Sequence, residues 1–403
     1  MSHILSVVLV LLMTACARNP PSGQTKTTPS KSQESAPNAL KLGIDRTAEY
    51  LPLLAGKRVG LVVNHTTLFS NGTHLADSLK ALGVNVQTIF APEHGFRGVA
   101  DAGATIKDGK DAKTGWPIVS LYGKNKKPSP EQLREIDVMI FDIQDVGVRY
   151  YTYPSTMHYV LEACAENGKA CIVLDRPNPN GNYVDGPVLE PKFTSFVGMN
   201  PVPVVHGLTS AELALMINGE GWLEGRKNCD LTVVPCTGYT HSQVYELPVK
   251  PSPNLPNLQS VRLYPSICLF EPTIVSVGRG TDTQFQVIGA PNKIYGTYRF
   301  TPTDQPGAQN PPNEGKVCYG LDLREVDTRQ QGFTLKYVLD FYNKTPDKSK
   351  FFTSADFFDK LAGTDLIRKM MIAGNSEAEI RAAFTPRLEA YKEMRKKYVL
   401  YGE

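Results

Sequence analysis

At 403 residues, the chain exceeds the roughly 100 to 200 residues of one ordinary domain. Hydrophobic residues at 41% and charged residues at 21% leave apolar side chain enough for a sizeable core, which excludes a peptide-sized scaffold and a disordered chain. Lys and Arg number 43 against 40 Asp and Glu, a formal charge of +3; phosphate-backbone binding needs a concentrated basic excess, so nucleic acid is not an expected partner.

The first element is an apolar run over 4–13, of signal-peptide length and too short to cross a bilayer as a helix. It ends in Met13-Thr14-Ala15-Cys16, which resembles a bacterial lipobox. Residues 1–16 are therefore expected to be a lipoprotein-type signal ending at Cys16, the lipidation site. Residues 17–39 are rich in Pro, Ser, Thr, Lys and Gln and read as a flexible tether. An exported, periplasmic or cell-envelope lipoprotein, held at a membrane by an N-terminal lipid anchor, is the expected consequence. Cys164, Cys171, Cys229, Cys236, Cys268 and Cys318 form no C-x-x-C pair and are expected to serve as small buried hydrophobes.

From residue 40 onward, short β-branched runs alternate with stretches of helical period. Strands are predicted over 58–63, 85–90, 117–121, 137–141, 170–174 and 230–234, with helices over 73–82, 130–135, 155–167 and 210–219. Runs without polar alternation imply strands covered on both faces, hence a doubly wound parallel sheet, an α/β fold spanning 40–236. A Pro-rich connection (Pro248, Pro251, Pro253, Pro256) opens a second, smaller α+β domain over 237–403. Strands near 284–288 and 317–321 are expected there, then helices over 334–342, 354–361, 365–372 and 376–398, the last with a Ser376/Glu379 capping box.

Ligands bind beyond the carboxyl ends of strands in open parallel sheets, and four predicted strands here deliver polar clusters to that edge. They are Asn64-His65-Thr66-Thr67, Pro92-Glu93-His94-Gly95, Asp142-Ile143-Gln144-Asp145 running on to Tyr153, and Asp175-Arg176-Pro177-Asn178. The turn after the first strand lacks Gly-x-Gly-x-x-Gly, and neither a Gly-x-Ser-x-Gly elbow nor a Walker loop occurs, which disfavours dinucleotide enzymes, α/β hydrolases and nucleotidases. Glu93 and His94 are adjacent rather than spaced as helical zinc ligands; no metal and no cofactor are expected. Carboxylates with amides, Tyr and Arg suit a sugar, whose hydroxyls and glycosidic bond need these groups.

Ala91-Pro92-Glu93-His94-Gly95-Phe96-Arg97-Gly98, the run from Phe141 to Tyr153, Leu174 to Pro179, Pro251-Ser252-Pro253-Asn254-Leu255-Pro256, Tyr264 to Glu271 and Gly278-Arg279-Gly280-Thr281 resemble the bacterial exo-β-N-acetylmuramidases, a family long described as of unknown function. The likeness spans about 42–401. It implies a Rossmann-like catalytic domain with a smaller domain closing a cleft, and release of terminal β-linked N-acetylmuramic acid from the non-reducing end of peptidoglycan fragments (MurNAc-GlcNAc). Glu93 matches the family's catalytic glutamate and is expected to be the general acid, with His94 beside it. Asp142, Asp145 and Asp175 compete for the second carboxylate. Arg149, Arg176 and Arg279 are candidates for the lactyl carboxylate of muramic acid; Tyr151 and Tyr153 for stacking on the ring; Asn64, Gln144 and Asn178 for its polar groups; Glu271 for closing the cleft. The alternative is a lipoprotein that binds muropeptides or sugars without cleaving them.

Overall fold

The computed structural model describes residues 39–97 and 109–403; the signal, Cys16 and nearly all of the tether lie outside them. Seven strands form the main sheet: β1 (Val59–Val63), β2 (Val86–Ala91), β3 (Gly109–Lys110), β4 (Pro117–Ser120), β5 (Val138–Asp142), β6 (Ala170–Leu174) and β7 (Asp230–Val234), in the order β3-β4-β2-β1-β5-β6-β7. All neighbours are parallel except the short edge strand β3, which runs against β4. The sequence pattern did not anticipate β3, whose two residues are both exposed.

The uninterrupted apolar runs arise because the sheet is covered on both sides. Val59, Leu61 and Val63 of β1 join Ile89, Val138 and Ile140 in one buried cluster, while Val62 joins Phe90, Met139 and Phe141 in the other. The helix Leu75–Ala81 packs into the first through Leu75 and Leu79; Tyr153–Asn167 and Ser210–Gly219 pack into the second. Progression runs outward from β1 through β2 to β4, then returns to β5 at the other side of β1. The order thus reverses between β1 and β5, the kind of switch point beside which open α/β sheets bind ligands.

The smaller domain holds three antiparallel strands, β8 (Val287–Ala290), β9 (Tyr298–Phe300) and β10 (Cys318–Asp322), ordered β8-β10-β9. The helices Lys336–Lys344, Ala355–Ala362, Leu366–Ile372 and Glu377–Arg395 follow, the last with the expected Ser376/Glu379 capping box. Val261, Leu263, Val338, Phe341, Phe358 and Leu388 belong to the same buried cluster as Met139 and Phe141, so the core of these helices is continuous with that on one face of the main sheet.

One helix, Leu258–Ile267, contradicts the Pro-rich reading of its neighbourhood. Asn257 caps it, accepting from Ser260 N at 2.9 Å. Pro265 has no N–H for the carbonyl of Val261, and Asn180 Nδ2 donates to that oxygen instead, at 3.2 Å. Tyr150 donates its hydroxyl to Pro265 O. Side chains of the main domain thus complete a helix that its own sequence leaves one bond short.

All six cysteines after the tether are unpaired and buried, in keeping with the hydrophobe reading.

Candidate active site

A cavity of about 730 Å³ opens at the carboxyl ends of β2, β4 and β5 and is closed on the other side by residues 252–312. Glu93 and His94 enter it from the loop after β2, Tyr122 and Lys126 from the loop after β4, and Tyr150 to Tyr153 from the loop after β5. Glu271, Arg279 and Phe285 face it from the smaller domain.

Glu93 is presented by a tight turn in which Gly95 N donates to Pro92 O at 3.0 Å. His94, the third residue of that turn, has φ 68°. A non-glycine residue there costs about 1 kcal/mol or more, so the backbone is held against its own preference. The carboxyl group is then fixed from two sides. Thr152 Oγ1 donates to Glu93 Oε2 at 2.6 Å, and the Tyr122 hydroxyl also hydrogen-bonds Glu93. Thr152 occupies the N-cap position of the helix Tyr153–Asn167 yet makes no capping bond; its hydroxyl serves the carboxylate instead. Burial and the charge of Glu93 push the Tyr122 phenol up, so it remains a proton donor.

Tyr153 donates to the Glu93 carbonyl at 3.4 Å and accepts from Asn64 Nδ2 at 2.8 Å. Asn64 Oδ1 accepts from Thr66 N (2.9 Å) and Thr66 Oγ1 (2.6 Å), while Thr66 Oγ1 accepts from Gln144 N at 3.0 Å. The loops after β1 and β5 are thereby knitted beneath the turn that carries Glu93. Tyr151 reaches across to donate to Pro251 O at 2.8 Å. Tyr151, Tyr153, Tyr264 and Phe285 form a chain of edge-to-face rings under the cavity, a rigid floor with polar tips engaged.

Opposite Glu93's loop, Arg279 Nε bonds Glu271 Oε1, and the guanidinium lies 5.1 Å from the Phe285 ring centre. Arg279 is half-buried and holds its charge through Glu271. Glu93 and Glu271 are the two carboxylates lining the cavity among the described residues.

Of the residues singled out in the sequence, Glu93, His94, Tyr151, Tyr153, Glu271 and Arg279 line the cavity, with Asn64 one hydrogen bond behind. The others are placed away from it, each spent on the fold. Asp142, fully buried, forms a double hydrogen bond with Arg176 (Nε to Oδ1; Nη2 to Oδ2 at 2.9 Å), and Arg176 Nη2 also reaches Leu68 O at 3.1 Å. Asp175 accepts from Ala211 N at 2.9 Å and from the Tyr401 hydroxyl, pinning the chain's C-terminal segment to the sheet; burial pushes its carboxyl up to about 6. Asp145 Oδ2 accepts from Gly147 N at 2.8 Å. Gln144 Nε2 donates to Asp145 O and Pro177 O, both at 2.8 Å. Asn178 uses both amide atoms, donating to Leu208 O and accepting from Asn180 N. It lies so close to Gly147 (φ 74°) that a Cβ there would stand 2.1 Å from its oxygen, which requires glycine at that position.

Arg149 is the plainest departure. It lies within the core, donates to Pro187 O, Val202 O and Leu361 O at 2.7 to 2.9 Å, and burial lowers its guanidinium to about 10. No part of it lines the cavity, so it does not reach a substrate carboxylate from this position.

Tyr122, Lys126, Thr152 and Phe196 line the cavity and went unrecognised in the sequence. Tyr122 follows β4 as directly as Glu93 follows β2, and the same strand-end rule finds it once the end of that strand is included; Lys126, further along the loop, carries no such signal.

The family model for the N-terminal part of exo-beta-N-acetylmuramidase NamZ matches residues 59–259, and that for its C-terminal part matches 262–401. The chain is 38% identical to the peptidoglycan beta-N-acetylmuramidase NamZ of Bacillus subtilis, over 92% of this chain and 94% of that protein. Two solved structures of DUF1343 family proteins from Bacteroides fragilis are similar to it, with TM-scores of 0.83 and 0.78 and identities of 46% and 31%; each comparison covers 90% of this chain and 99% of the other. With both halves matched and the fold shared over 90% of its length, the chain belongs to the NamZ exo-β-N-acetylmuramidase family.

Proposed function

We propose that this protein is an exo-acting glycosidase that releases terminal β-linked N-acetylmuramic acid from the non-reducing end of peptidoglycan fragments, with Glu93 as the general acid. The observation that carries the role of Glu93 is its presentation: a carboxyl group on a strained turn, held by two hydroxyls, at the lip of a cavity large enough for a sugar. Glu93 protonates the glycosidic oxygen as the bond from the anomeric carbon breaks. Glu271, paired with Arg279, is the second carboxylate and faces the positive charge that develops on the ring. Water then adds to the anomeric carbon, and Glu93 regains its proton. The floor of Tyr151, Tyr153 and Tyr264 meets the apolar face of the sugar.

The test uses a chromogenic N-acetyl-β-muramide. The native protein is expected to release the chromophore, and Glu93→Gln to abolish release while its thermal midpoint stays within a few degrees. A fully active Glu93→Gln refutes the assignment. A native protein that binds the glycoside without cleaving it would instead be a sugar-binding lipoprotein. Anchoring through Cys16 is part of the same proposal, supported by the lipobox-like residues; labelled palmitate should enter the native protein and not Cys16→Ala.

A further inference from the structure

Resting on that reading, we propose that Lys126 is the residue that selects muramic acid, by binding the free carboxylate of the lactyl ether at the sugar's 3-position. N-acetylmuramic acid and N-acetylglucosamine differ only by that ether, so specificity requires a group that meets its charge. Glu271 in the cavity is already met by Arg279, and Glu93 as general acid enters the reaction protonated, so a lactyl carboxylate arriving there needs a cation of its own.

Two basic side chains other than His94 line the cavity, Arg279 and Lys126. Arg279 is engaged by Glu271. Lys126 has no carboxylate within ion-pair distance among the described residues, whereas its neighbour Lys127 is bound by Glu162 and Glu166 at 2.7 and 2.8 Å. The Lys126 ammonium sits 4.6 Å from the centre of the Phe196 ring, and Phe196 is itself backed by a stacked Tyr159 at 6.3 Å. That seat restrains the flexible lysine before any ligand arrives. The segment carrying it is also fixed: Asn125 Nδ2 donates to Ser120 O at 2.8 Å, and Tyr122 N donates to Ser120 Oγ at 3.2 Å.

Placement relative to the acid agrees. Tyr122 touches both Glu93, through its hydroxyl, and the Phe196 ring, at 6.2 Å between centres. Glu93, Tyr122, Phe196 and Lys126 therefore form one continuous wall. A pyranose with its anomeric oxygen at Glu93 can turn its 3-substituent along that wall towards the ammonium. A charge-assisted hydrogen bond to a carboxylate in a half-buried site is worth about 1.5 to 3 kcal/mol, or roughly 10- to 100-fold in affinity.

The experiment compares native protein, Lys126→Gln and Lys126→Arg on three para-nitrophenyl glycosides: the N-acetyl-β-muramide, its lactyl methyl ester and the N-acetyl-β-glucosaminide. Lys126→Gln should lose roughly 10- to 100-fold in kcat/KM on the free acid and little on the ester or the glucosaminide, so that its preference for the acid over the ester collapses; Lys126→Arg should restore part of it. Equal losses on all three substrates, or none on the acid, overturn the assignment while leaving Glu93 and the glycosidase reading intact. Calorimetry with free N-acetylmuramic acid, its methyl ester and N-acetylglucosamine reads the same selectivity without turnover. If Lys126→Gln still prefers the acid, the proposal falls. If the native protein neither cleaves nor binds any of these sugars, the glycosidase reading falls with it.

Discussion

Replacing Arg176 by Met tests whether the Asp142–Arg176 pair belongs to the fold rather than to catalysis. Burial pushes the Asp142 carboxyl up, and the guanidinium of Arg176 is the charge that opposes this. Without it, the carboxylate is left in a fully buried site, and its cheapest escape is to take up a proton. Relative to an unfolded value of 3.8, holding that proton at pH 7 costs about 4 kcal/mol, and at pH 5 about 2 kcal/mol. The folded-state value in the variant is raised, so stability is retained at low pH and lost as pH rises. Urea unfolding should therefore show Arg176→Met destabilised by up to about 4 kcal/mol at pH 7, within the range found when one partner of a buried pair is removed. The deficit should shrink by about half at pH 5. Adding Asp142→Leu to Arg176→Met should recover most of the loss, because the stranded acid is gone. The folded variant should retain its kcat. A deficit below about 1 kcal/mol, a deficit that does not change with pH, or a selective collapse of kcat in fully folded protein would refute the reasoning and return the pair to the candidate catalytic groups.

Two further outcomes are expected. Tyr122→Phe keeps the ring but removes a hydroxyl from Glu93; kcat should fall roughly tenfold with the thermal midpoint unchanged, and an undiminished kcat would show that the hydroxyl does not serve Glu93. The second concerns Asp175, whose folded-state value of about 6 lies above its ordinary 3.8: its contribution to stability is present below pH 4 and is lost as pH rises to 6, by up to about 3 kcal/mol. The stability of native protein relative to Asp175→Asn should fall through that window and then level off, and a constant difference from pH 4 to 7 would contradict the burial argument.

The sheet was legible because its physics is local. Val59 to Val63 and Val138 to Phe141 are apolar at every position, which only a strand covered on both faces requires. The helices followed from their period and caps. The helix Leu258–Ile267 was not legible, since Pro265 argues against it in any local reading; the donor that replaces the missing N–H comes from Asn180, 81 residues upstream of Val261. The small strands β3 and β9 carry too few residues to express a period.

At the strand ends, the rule pointed to the edge where the cavity lies but did not separate residues that line the cavity from residues that hold the loops together. Asp142 and Arg176 illustrate why. β5 and β6 run parallel with Phe141 opposite Val173, so the ends of these neighbouring strands bring a carboxylate and a guanidinium within reach, and each consumes the other. Chain order shows both residues and hides the register that joins them. Arg149 is hidden in another way, because its acceptors are backbone carbonyls at Pro187, Val202 and Leu361, which any sequence supplies everywhere. Lys126 gave the opposite error. A lysine in a loop with Lys124, Lys127 and no acid nearby reads as solvated surface, and only the Phe196 ring, brought in from 70 positions further along the chain, turns it towards the cavity. What sets Asp142 and Asn178 apart from a group facing the cavity is thus the bonding each finds once the loops have met. Asp142 and Asn178 are saturated by the fold; the Lys126 ammonium is held by a ring face that leaves its N–H donors for an incoming carboxylate.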